Sequence, residues 1–174
     1  YNKNNVLKDH CYMGIYQPAN ISSVLRSISG QTIFTNNAGS TELTYALANG
    51  AAYGWYTGVW ADWVEIQELL VLMCKSTDIQ AKFGQGRSSA ANATTGECDT
   101  KGLFYGTSGN GKKKIFGIEN LYGNYWDRRA GCCYTASGYA IKMTQGTADG
   151  STATDYNSTG TGYIVPGLTM SGTI

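Results

Sequence analysis

The sequence predicts an α+β fold, with early helices packed on short, late antiparallel strands that are joined by long loops. Three observations carry that expectation. The strongest helical periodicity falls early, in "ADWVEIQELLVLMCKS". From Leu103 onward the chain turns into short apolar runs bounded by Gly or Asn. Helices and strands do not alternate, which argues against a doubly wound sheet.

The elements follow in order. A polar leader, 1–12, precedes "NISSVLRSIS", where Ile21, Val24, Leu25 and Ile28 stand at helical spacing behind Asn20 as N-cap. "QTIFTNNAGS" reads as a strand running into an Asn/Gly turn. In the strongest helix Asp62 caps the first turn and Glu65 completes a D-x-x-E capping box. Its buried face is Trp63, Ile66, Leu70 and Met73, widened by Leu69 and Leu72. "STDIQAKFGQG" continues it briefly and stops at Gly84, a natural residue just past a helix end. Residues Arg87 to Gly102 form a long loop by composition. The late strands are expected in "GLFYG", "KKIFGIEN", "GYAIKMTQG" and "GTGYIVPGL". A chain of 174 residues is read as one domain, 13–174 after the leader; opening on Tyr1, it reads as a fragment or processed product of a longer chain.

Composition narrows the function classes. Charged residues are 14%, well under the roughly 25% of a typical soluble domain, so Ser, Thr, Asn, Gly and Tyr must supply the polar surface. That palette suits extracellular, adaptable binding surfaces. The net charge of +1 gives no field toward nucleic acid, and no run nears the ~18 apolar residues of a membrane span. Lys112, Lys113 and Lys114 sit beside a Gly/Asn turn and are read as a solvated hairpin tip.

Catalytic chemistry finds little support. The single histidine, His10, lies in the leader with no nucleophile motif beside it. Glu119 and Asp127 are the carboxylate pair available for glycoside hydrolysis, and sequence spacing does not set their separation. No phosphate loop, metal-ligand cluster or cofactor motif is present, so no cofactor is expected. Five cysteines is an odd number; Cys132 and Cys133 cannot bridge each other without strain, and Cys74 fits a buried free thiol. The sequons at Asn20, Asn92 and Asn157 are frequent by chance in a chain this rich in Asn, Ser and Thr.

One segment gathers chemistry: "GIENLYGNYWDRRAGCCY", Gly117 to Tyr134. "GIENLYGNYWDRRAG" resembles the G-x-E-N-x-x-G-N-x-W-x-W/R-x-x-G signature of C-type-lectin-like domains of the formylglycine-generating-enzyme type. That branch is reused in phage tail adhesins and in the variable proteins of diversity-generating retroelements. Neighbouring blocks, over residues 55 to 165, resemble tail-fibre and host-adhesion proteins of gut bacteriophages. The resemblance implies a C-type-lectin-like fold in which Asn124 and Trp126 stitch a late strand into the core beside a turn at Gly123. It also implies a homotrimer on the virion surface, outside cells, whose partner is a bacterial surface receptor, glycan or protein. The copper-binding cysteines of the oxidases stand a few residues apart, a spacing that adjacent Cys132 and Cys133 lack.

The expected site follows. Tyr122, Tyr125, Arg128, Arg129, Tyr134 and Tyr139, with Tyr156, are the ligand-binding candidates, since Tyr and Arg dominate binding hot spots. Asn124, Trp126 and Trp63 are the structural candidates. Two competing readings stay open: a structural virion or filament subunit whose aromatics form the subunit interface, and an oxidase or hydrolase on the same fold. The enzyme predicts converging titratable groups or a metal; the structural subunit predicts aromatics buried between copies.

Overall fold

A computed structural model describes residues 12–50, 58–87, 94–106, 111–125, 127–142, 152–156 and 159–165. Its elements are mixed α+β, with short antiparallel strand pairs and helices. The chain divides into two compact units, each built from separated stretches. Of the described residues, one holds those within Ala38–Glu65 and Arg128–Ile174, and the other those within Tyr12–Asn37 and Ile66–Asp127.

The second unit opens with a hairpin, β1 (Ala19–Ile21) against β2 (Val24–Arg26), where a helix was expected. The spacing of Ile21, Val24 and Leu25 is compatible with both, and the turn decides. Ser22 and Ser23 both take positive φ, 54° and 65°, as a two-residue hairpin loop that follows the strand twist requires. Asn20 does not cap a helix: its side-chain oxygen accepts the Ser23 N–H at 2.8 Å and closes the loop. Ala19 also bridges Ile33, and Thr32 bridges Thr94, so "QTIFT" runs extended as expected.

Later in this unit, β3 (Lys114–Ile115) and β4 (Ile118–Glu119) pair through a Phe116–Gly117 turn, again with two positive φ values. Tyr105 exchanges both backbone hydrogen bonds with Lys114 at 2.9 Å, which is what "GLFYG" contributes to the sheet. Phe104 stacks on Phe83 and meets Phe116 edge-on.

Helix α1 (Gly39–Leu47), in the first unit, was not anticipated. Leu43 and Ala46 are its buried residues. Helix α2 (Trp60–Cys74) begins two residues before Asp62, so Asp62 lies inside the first turn rather than capping it. Its wide apolar stripe is only partly buried. Leu70 is fully enclosed and Trp63 and Ile66 are half-buried, whereas Leu69, Leu72 and Met73 are exposed. At ~100° per residue the inward arc runs Ile66, Leu70, Trp63, Cys74, and Met73 falls off its edge on the side of Glu65 and Leu69. The residues up to Glu65 belong to the first unit and those from Ile66 to the second.

Helix α3 (Ile79–Phe83) is a separate short element. Asp78 caps it by accepting the Ala81 N–H at 2.9 Å, and Gly84 ends it at φ 73°, as the sequence indicated. In the first unit, β5 (Cys132–Thr135) pairs with β6 (Gly138–Ile141), and Ile141 bridges Ile164. Gly58 and Val59 run beside Ala130, fixed by Trp60 N–H to Ala130 O at 2.9 Å and Ala130 N–H to Gly58 O at 3.0 Å. Asp155, within the 3-10 turn Ala153–Tyr156, is buried. Its carbonyl accepts from Gly131 N–H and from the Tyr163 hydroxyl.

Candidate functional site

The segment from Gly117 to Tyr134 proves to have two halves. Its first half is structural. Glu119 is buried, and its two carboxylate oxygens accept the backbone N–H groups of Gly96 at 2.9 Å and Cys98 at 2.7 Å. A carboxylate held by two backbone donors pins the 94–100 loop, which leaves the Glu119–Asp127 hydrolase pair without a free partner at Glu119. Asn120 takes φ 49°, and its side chain accepts from Lys113 N–H.

Lys113 and Lys114 overturn the solvated-tip expectation. Lys113 has 0% of its surface exposed, and Lys114 is buried as well. The Lys113 ammonium donates to the carbonyls of Phe83 and Gly84, where α3 ends and its carbonyls lack intrahelical partners. It also lies 3.9 Å over the Tyr122 ring. Burial lowers its pKa to about 8. Lys114 reaches the carbonyls of Cys98 at 3.1 Å and Lys101 at 3.5 Å. Turn and helix-end carbonyls thus draw two lysines inward, a demand that no local sequence pattern announces.

Tyr122 belongs to this assembly. It is half-buried, its ring covers Lys113, and its hydroxyl donates to Gly84 O at 3.1 Å. Burial pushes its pKa up to about 12. A tyrosine so occupied is a packing residue, not the exposed tip expected of it. Gly123 is the turn anticipated: at φ 72° it passes so close to Gln85 that an added Cβ would stand 2.1 Å from that carbonyl oxygen. Asn124 is half-buried rather than buried, and its amide donates to the Gln17 side chain. Tyr125 is half-buried. Trp126 lies outside the described residues, as does His10.

The other half, in the first unit, is anchored differently. Arg128 is exposed and donates to Glu42 of α1 at 2.9 Å. Arg129 lays its guanidinium 4.8 Å over the Trp63 ring, and Gly58 gives it room, since a Cβ there would meet its Nη1 at 2.4 Å. Trp63 is thus a half-buried platform rather than a core indole. Both contacts join late arginines to early helices, which is invisible along the chain.

The hairpin β5–β6 brings Tyr134 and Tyr139 together as cross-strand partners. Their ring centroids are 5.2 Å apart with planes at 77°, an edge-to-face pair. Tyr134 is 69% exposed, so much of this ring faces solvent although it is already held by a neighbour. At the tip the Thr135 hydroxyl accepts from Ser137 N–H at 3.2 Å and donates to Gly138 O at 3.0 Å, stiffening the two-residue loop. Tyr156, on the 3-10 turn, is half-buried. Tyr134 and Tyr139 are therefore united, while Tyr122 and Tyr125 belong to the other unit.

Among the described residues no group of three His, Cys, Asp or Glu could hold a metal, and Cys74, Cys98, Cys132 and Cys133 are free thiols. Cys74 is half-buried and donates to Leu70 O. Tyr16 and Ser29 both donate to Asp99, holding its carboxyl below the usual range, with Ser29 the larger cause. This polar knot ties the 94–100 loop to the N-terminal stretch of the same unit. An open cleft of about 330 Å³ beside Val71 and Ile79 contains Asp78, already spent on capping α3. No described helix is long and apolar enough to cross a membrane. No family model matches the chain, and neither a curated protein nor a solved structure is significantly similar to it.

Proposed function

We propose that this chain is a non-enzymatic receptor-binding domain of a phage tail or surface fibre, with a C-type-lectin-like fold, acting at the virion surface on a bacterial surface molecule. The observation that carries the reading is the exposed Tyr134 ring, braced edge-to-face by Tyr139 on a stiff hairpin. Rigid aromatic area that is ordered before binding loses little entropy on contact, which is how adaptable recognition surfaces gain affinity. The titratable groups favour the same side of the choice: Glu119, Lys113, Lys114 and Asp99 are all engaged in holding loops. The "GIENLYGNYWDRRAG" resemblance supports the fold and the setting, and with it a homotrimer. The exposed α2 residues Leu69, Leu72 and Met73 favour self-association, which the structural-subunit reading shares.

The test is binding of fluorescently labelled protein to a panel of gut bacteria. Tyr134→Ala should weaken adsorption at least about tenfold, roughly 1.4 kcal/mol, with the fold intact. Absence of binding across the panel, or adsorption indifferent to Tyr134→Ala, would count against the proposal.

A further inference from the structure

The ten residues of the β5–β6 hairpin, Cys132 to Ile141, contain no Asp, Glu, Lys or Arg. The cations that flank it in sequence are turned onto other rings: Arg129 lies over Trp63, and Lys142 stands 5.9 Å from the Tyr163 ring centroid. An anionic ligand therefore finds no cation on the hairpin, and a basic peptide finds no carboxylate. What the hairpin offers is a corner of two rings at 77°, open to solvent on Tyr134, with Ser137 exposed at the tip. A protein hot spot encloses an aromatic or aliphatic anchor in a desolvated pocket. An open ring face does not enclose an anchor, but it suits a flat ligand with one apolar face and a hydroxylated rim.

We infer that the Tyr134–Tyr139 corner takes a neutral saccharide, one pyranose laying its C–H face on the exposed Tyr134 ring. The sugar's aliphatic hydrogens point at the electron-rich face of the ring, while its rim hydroxyls reach the tyrosine hydroxyls and the hairpin tip. No ion pair is made or broken. This inference rests on the receptor-binding reading and names its ligand class.

The test has two arms. In the first, wild type, Tyr134→Ala and Tyr134→Phe are applied to an array of immobilised neutral and acidic oligosaccharides. Neutral saccharides should bind; the alanine variant should lose at least about tenfold, and the phenylalanine variant, which keeps the ring, should stay within about threefold. Chemical shifts of the Tyr134 ring protons in the wild type, titrated with the best neutral saccharide, give a readout that needs no variant to fold. An array with no neutral binder, binding to acidic saccharides alone, or ring protons that do not move would overturn the inference. In the second arm, bacteria are treated with periodate, which cleaves sugar diols, or with protease, before labelled protein is added. Loss of adsorption with periodate alone is the expected result. Loss with protease alone keeps the receptor-binding reading and removes the saccharide. A protein that adsorbs to no bacterium yet binds the neutral array keeps the saccharide and removes the phage-receptor reading.

Discussion

Lys113 shows how much one side chain can depart from its local composition. A run of three lysines reads as solvated, yet the middle one is sealed in the second unit by the carbonyls of Phe83 and Gly84 and the ring of Tyr122. Its pKa falls from 10.5 in the unfolded chain to about 8 in the fold because burial penalises the charge. Below pH 8 both states carry the proton, and the fold bears the whole cost. Between about 8 and 10.5 the unfolded chain binds more protons than the folded one, so this lysine's contribution to stability rises with pH. Neutral lysine still has two N–H donors, enough for both carbonyls, so its bonds survive deprotonation. Lys113→Met removes the titration and leaves the other groups in place. Stability measured by urea unfolding, wild type minus Lys113→Met, should therefore increase by about 1–3 kcal/mol between pH 7.5 and pH 10.5. Groups that do not touch Lys113 are common to both proteins and cancel in that difference. A difference that stays flat across this range would mean that Lys113 is hydrated in the folded protein.

At the scale of elements, the turns and caps decided what apolar spacing left open. The α3 stop at Gly84 and the start of β6 at Gly138 were legible because Gly marks both, and the α2 helix was legible from its length. The first hairpin was not, because Ser22 and Ser23 occupy left-handed positions that usually signal themselves with Asn or Gly. The inward face of α2 is illegible in the sequence for a related reason. Seven of its last nine residues, Ile66 to Cys74, are apolar, so periodicity cannot choose among them. Partner elements choose instead, and they enclose Leu70 while leaving Leu72 72% exposed. Alanine substitution separates the two: Leu70→Ala should cost ~2–5 kcal/mol, and Leu72→Ala within about 0.5 kcal/mol of nothing. Equal shifts in the urea midpoint for both variants would show that the α2 face is buried in solution, as a subunit contact would bury it.

For the whole molecule, low charge links composition to the proposed mode of recognition. The site's tyrosines were named from residue type alone, and the structure sorts them: Tyr122 is consumed by packing, while Tyr134 is presented. That sorting depends on contacts between residues distant in sequence, such as Gly84 with Tyr122, and residue type does not encode it. Charge, by contrast, was legible from the start. A net charge of +1 supplies no long-range attraction, and the exposed Arg128 is already paired with Glu42. If recognition runs through an uncharged aromatic corner, affinity should come from ring contact at short range. Raising salt from about 0.1 M to about 1 M shortens the Debye length from about 10 Å to about 3 Å and would cripple an electrostatically steered encounter. Adsorption to bacteria should instead change by less than about threefold over that range, in on-rate as well as in equilibrium binding. A steep fall with salt would assign recognition to the arginines, and Arg128→Ala would then weaken adsorption more than Tyr134→Ala does.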